Sequence, residues 1–85
     1  MMKVKVNGLT RIINPKYITY QTESSFHAIY RGFEIEIEEQ ETGGRYAKVM
    51  NIKTKEVIVE MHFDTHGWNS MEMIVGYCIA NILSA

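Results

Sequence analysis

Phe33, Ile35 and Ile37 alternate with Glu34, Glu36 and Glu38. A period of two, with apolar and charged residues on opposite sides, belongs to a strand buried on one face only. Such a strand needs neighbours in a sheet and a second layer over its greasy side. The flanking sequence supplies both. A hairpin about Arg31-Gly32 sets Tyr30, Ala28 and Phe26 against Phe33, Ile35 and Ile37. Taking Gly43-Gly44 as a two-residue loop sets Ile37 opposite Met50 and Ile35 opposite Ile52. Thr54-Lys55 as the next loop pairs Ile52 with Val57, Met50 with Val59, and Tyr46 with Phe63. Lys48 then falls on the inner face beside Glu39, at an open end of the sheet. The solvent face carries Glu34, Glu36, Glu38, Glu56 and Glu60, diluted by Lys53, Val49, Ile58 and His62.

Upstream, Val4 and Val6 alternate with Lys3 and Lys5, and Asn7-Gly8 is a strong two-residue hairpin signal because both turn positions favour positive φ. Leu9 to Ile13 is the return strand, and Asn14-Pro15 ends it. Tyr17 to Thr22 reads as a further strand, turned by Glu23-Ser24-Ser25 into Phe26 to Tyr30. After residue 68 the period changes. Asn69 is placed to cap a helix, with Glu72 reaching back to it, and Met71, Ile74, Val75, Cys78, Ile79 and Ile82 fall within one helical arc. The expectation is one domain over residues 1–85, of α+β class. It comprises an antiparallel meander of about five to six strands with one C-terminal helix packed across one face.

Composition excludes several functions. At 46% hydrophobic and 22% charged the chain is not disordered, and a net charge of −1 draws it toward neither nucleic acid nor anionic lipid. The single cysteine, Cys78, forms no internal disulfide, which suits a reducing compartment. Neither a signal peptide nor a bilayer-spanning stretch stands out, since Met71 to Leu83 is short and interrupted. A cytoplasmic protein with no membrane contact is expected.

The far side of the helix is the leading candidate site. Met73, Gly76, Tyr77 and Ala80 lie opposite the core arc, and only Glu72 there is charged. A helix apolar nearly all round needs a second partner. Gly76 and Ala80, four apart, permit close approach of another backbone. That backbone is either a second copy of the chain or the N-terminal hairpin folded over the same face.

Other constellations are weaker. His62, Asp64 and His66 alternate and are of metal-ligating type, but the turn expected about Gly67 breaks the alternation and no fourth ligand is indicated. The acidic face of Glu34, Glu36, Glu38 and Glu60 suits either solvent or a basic partner. Lys3, Lys5, Arg11 and Lys16 cluster in the N-terminal hairpin and offer an alternative reading as a nucleic-acid-binding module. Edge-strand lysines serve equally to discourage aggregation. The meander's aromatics are expected to point inward, away from any stacked base. Gly43-Gly44 joins two strands and is no phosphate cradle, and no serine sits in a nucleophile turn. No catalytic residue, cofactor or metal is expected.

Tyr30-Arg31-Gly32-Phe33-Glu34-Ile35-Glu36-Ile37, then Gly43-Gly44-Arg45-Tyr46-Ala47-Lys48-Val49 and a final helix, resembles the small sheet-plus-helix domains of HicB-like antitoxins over residues 30–83. The third strand of that family typically ends in a Pro-Leu-Pro-Gly-Cys-type segment, where this chain has Asn51-Ile52-Lys53-Thr54-Lys55. The likeness is not taken as membership; it implies binding of a partner protein, with no catalysis by the domain. From the apolar outer face of the helix and the lack of any active-site signature, the expected function is a small non-enzymatic protein-interaction module of regulator or inhibitor type, homodimeric through the C-terminal helix. Short, motif-poor chains of this kind are frequent on phages and mobile elements.

Overall fold

The computed structural model describes residues 2–64 and 70–85. The protein is α+β: a five-stranded antiparallel sheet, a separate two-stranded hairpin, and one C-terminal helix packed against them. Strands β1 (Met2–Val6) and β2 (Leu9–Ile13) form the hairpin. Asn7 and Gly8 both take positive φ at its tip, as the primed turn requires. A 3₁₀ turn, Pro15–Tyr17, is capped by Asn14, whose side chain accepts from the Lys16 amide at 3.0 Å. The chain then enters the large sheet as β3 (Ile18–Gln21), β4 (Ser25–Tyr30), β5 (Phe33–Glu39), β6 (Arg45–Asn51) and β7 (Val57–Phe63), in sequential order.

The β4–β5 hairpin keeps the expected register, with Tyr30, Ala28 and Phe26 opposite Phe33, Ile35 and Ile37. The next two hairpins do not. Ile37 pairs with Ala47 and Ile35 with Val49, rather than with Met50 and Ile52. The β5–β6 connection is longer than two residues: Gln40 N–H reaches the Gly44 carbonyl at 2.9 Å and Gly43 N–H returns to the Gln40 carbonyl at 3.0 Å. This moves β6 by three places, an odd number, so its faces exchange. Ala47 and Val49 are wholly buried, while Lys48 turns outward between Glu36 and Glu60.

The β6–β7 connection is also longer than Thr54-Lys55. Asn51 organises it: its side-chain oxygen accepts from the Lys53 and Thr54 amides at 2.9 and 3.1 Å. Lys55 takes positive φ and bonds back to the Asn51 carbonyl at 2.8 Å. Val49 faces Val59, Tyr46 faces His62 and Arg45 faces Phe63, with an irregularity between Val49 and Met50.

Helix α1 (Met71–Ser84) is capped by Ser70, whose side chain accepts from the Met73 amide. Asn69, the expected cap, lies outside the described residues. Met71, Ile74, Val75, Cys78, Ile79 and Ile82 are all buried in one core with Phe26, Ile35, Ile37 and Val49. Met2, Val4, Val6 and Ile13 of the hairpin belong to the same core. Among the strands, β1 packs most closely on the helix, with β7, β6 and β5 also meeting it. The described helix is too short to cross a membrane.

Candidate functional site

The four residues expected on the outer helix face share one surface. Met73, Gly76, Tyr77 and Ala80 line a groove of about 320 Å³ together with Val6 and Phe63. They differ sharply in exposure. Gly76 is buried, because strand β1 runs directly over it: a Cβ at this position would lie 2.7 Å from the Lys5 carbonyl oxygen. The backbone that approaches this glycine is thus the chain's own. Met73 remains 55% exposed and Tyr77 40% exposed, while Ala80 is half-buried against the core. Tyr77 meets Phe63 edge-on, with ring centroids 5.5 Å apart. The hairpin covers the centre of the helix's outer side and leaves an apolar slot at its margin.

The acidic face is broken up by the register of β6. Lys48 stands between Glu36 and Glu60. Tyr46 also faces outward, contrary to expectation, and its hydroxyl is held by the Glu60 carboxylate, which pushes the phenol's pKa up. Glu34 lies between Ile29 and Met50. Val49, expected on this face, is in the core.

Glu38 is engaged on both oxygens. One accepts from the buried Ser25 hydroxyl, and the other lies 2.5 Å from His27 Nε2. Tyr20 packs on the His27 ring at 5.5 Å. Sequence reasoning did not single out this trio, although the β4–β5 register contained it: if Phe26 faces Ile37, Ser25 must face Glu38. The three residue types are those of a hydrolase triad, but the order of contacts is wrong. The carboxylate stands between serine and histidine, so Ser25 gives its hydrogen bond to an acid and not to a base.

The Ser25 and His27 hydrogen bonds, outweighing partial desolvation, hold the Glu38 carboxyl below its ordinary value. Its contribution to stability is therefore fully present above the unfolded value of 4.5 and is lost as pH falls through the lower folded-state value. Because the Glu38 side chain is 41% exposed, solvent screening keeps the effect below about 1 kcal/mol. Urea unfolding of Glu38→Gln should show a shallower acid decline than the wild type below pH 4.5. Parallel acid declines would mean the contact contributes nothing.

The remaining candidates separate. His62 Nε2 lies 3.0 Å from the Gly43 carbonyl oxygen, Asp64 is exposed, and His66 lies outside the described residues. No cluster of three metal-ligating side chains occurs among the described residues. The basic hairpin residues divide between faces: Lys3 and Lys5 are exposed on one side, while Arg11 pairs with Val4 on the other. Cys78 is buried in the core, and desolvation pushes its thiol up to about 12, so no thiolate nucleophile forms there at neutral pH.

No protein family, curated protein or solved structure matches the chain. The antitoxin-like pattern of residues 30–83 therefore stays a resemblance, and no argument rests on it.

Proposed function

We propose that this chain is a non-enzymatic protein-interaction module of regulator or inhibitor type, acting in the cytoplasm, which self-associates through the groove beside α1. The observation that carries the reading is the pair Met73 and Tyr77, large apolar side chains 55% and 40% exposed on the rim of an apolar slot. The adjoining helix surface is already packed by β1, so this margin is what the helix offers a partner. Burying what remains exposed of each side chain contributes up to roughly 0.6–1.7 kcal/mol before the entropy of association is subtracted. Two copies related by a twofold axis, helices antiparallel, would set Met73 of each against Tyr77 of the other. A buried free thiol at Cys78 is consistent with a reducing setting.

Met73→Glu separates association from folding. Met73 is the third residue of the helix and its amide is bonded by the Ser70 cap. Glutamate there completes a capping box and favours the helix N-terminus. The same glutamate puts a charge where the dimer buries a thioether. Sedimentation equilibrium should find the wild type dimerising in the micromolar range and Met73→Glu monomeric, with thermal stability of the monomer unchanged or raised. A wild type that stays monomeric at those concentrations sinks the proposal.

A further inference from the structure

A second apolar surface lies away from the helix. A cleft of about 500 Å³ opens between the end of β2, the 3₁₀ turn and the β4–β5 turn, lined chiefly by Ile12, Ile13, Tyr17, Ile29, Tyr30 and Arg31. Ile12, Tyr17 and Ile29 are 57%, 46% and 39% exposed. Its lining contains no carboxylate. Instead, Lys16 stands over the Tyr17 ring at 5.0 Å and Arg31 beside the Tyr30 ring at 5.7 Å, so two aromatic walls each carry a cation. Lys3, the cross-strand partner of Ile12, lines a separate surface with Glu72 and Met73. Glu34, opposite Ile29, flanks the far wall, so the cations gather on the side of the 3₁₀ turn and the β4–β5 turn.

Ile12 also belongs to an open sheet edge. Among the described residues β2 pairs with β1 alone. With Asn7-Gly8 as the loop, Val6 and Leu9 form the first hydrogen-bonded pair, and bonding alternates from there. Leu9, Arg11 and Ile13 therefore spend their backbone groups on β1, while Thr10 and Ile12 present N–H and C=O to the free side. The strand has no proline and no lysine of its own, and its one charge, Arg11, lies on the opposite face from Ile12. Arg11, a charge on the face it shares with buried Val4, blunts the edge in part, while proline, lysine and a bulge are missing from it.

We propose that β2 and this cleft receive an extended segment of a partner protein whose apolar side chains are flanked by carboxylates. The segment adds as a strand on the Thr10–Ile12 edge, one apolar side chain enters the cleft beside Ile12 and Tyr17, and neighbouring carboxylates meet Lys16 and Arg31. Main-chain bonds supply affinity, and the cleft with its cations supplies selectivity.

The probe is a fluorescein-labelled Glu-Val-Glu-Val-Glu-Val peptide, with Lys-Val-Lys-Val-Lys-Val and an alternately N-methylated form of the acidic peptide as comparisons, followed by fluorescence anisotropy. Arg31→Asn is the informative variant. Arg31 has φ 49° and precedes Gly32 at φ 82°, a turn that Asn-Gly suits better, so the charge is removed without loss of fold. The acidic probe should bind saturably, the basic probe about tenfold or more weakly, and Arg31→Asn should weaken the acidic probe about fivefold. N-methylation should abolish binding. Met73→Glu should bind as the wild type does, so this surface and the proposed self-association are read separately. Absence of saturable binding, equal binding of both charge types, or an N-methylated probe as tight as its parent overturns the proposal; the last would mean a cleft ligand without strand addition.

Discussion

Val49→Asp is expected to leave the chain unfolded at neutral pH, while Lys48→Ala next to it changes stability by no more than about 0.5 kcal/mol. Val49 is wholly buried, facing Ile35 on one side and Val59 on the other. An aspartate there has apolar neighbours and no counter-charge. Burying an unpaired polar or charged group costs several kcal/mol. A chain of this size has only about 4–13 kcal/mol of stability to lose. Lys48 lies on the outer face as the cross-strand neighbour of Glu36 and Glu60, so its loss removes only a solvent-screened charge arrangement. Circular dichroism with urea titration reads both variants. A folded Val49→Asp together with a destabilised Lys48→Ala would show that β6 presents its other face to the core.

Gly76→Ala is the second large effect, and its sign carries the information. In an exposed helix, replacing glycine by alanine stabilises by about 1 kcal/mol. Here the added Cβ would sit 2.7 Å from the Lys5 carbonyl oxygen, a backbone atom, with the Val4 side chain behind it at 3.9 Å. Strand β1 must move to admit it, and overpacking of this kind costs about 1–3 kcal/mol. The propensity gain offsets part of that. Net destabilisation is expected for alanine, and Gly76→Val should be worse by a further ~1–2 kcal/mol, since it adds bulk without alanine's helix preference. A Gly76→Ala protein more stable than the wild type would mean that β1 does not press on the helix.

Which parts of this fold could be read from the sequence follows from how each is encoded. The alternation of Phe33 to Glu38 and the helical arc from Met71 to Ile82 are periodic, and period reports burial directly. Asn7-Gly8 and Arg31-Gly32 give two-residue turns, so both of their registers follow from the sequence. The other two connections are longer, and a turn signal such as Gly43-Gly44 marks where a loop is without marking how long it is. Gly44 serves a different purpose as well: a Cβ there would meet the Phe63 carbonyl oxygen at 2.5 Å, so the glycine admits β7. Asn51, with its side-chain oxygen facing two following amides, was the available signal for the longer β6–β7 loop.

The candidate site was legible in part for a related reason. Gly76 and Ala80 announce that a backbone comes close, and nothing in a helix sequence says whose. Val4 and Val6 needed burial as much as the helix needed cover, and both needs are met where β1 crosses Gly76. The remaining exposed pair, Met73 and Tyr77, is what the proposed partner surface consists of. The cleft at Ile12 draws on residues distant in sequence, from the hairpin, the 3₁₀ turn and the β4–β5 turn, so no local pattern points to it.

Self-association through the helix margin is tested most directly by amide chemical shifts of nitrogen-labelled protein over a dilution series through the micromolar range. The account predicts concentration-dependent shifts at Met73, Tyr77, Ala80 and the adjoining Val6 and Asn7, with Ile12, Tyr17 and Ile29 unchanged and the whole dependence lost in Met73→Glu. Spectra that do not change with concentration, or shifts that gather at the β2 edge instead of the helix, would contradict it.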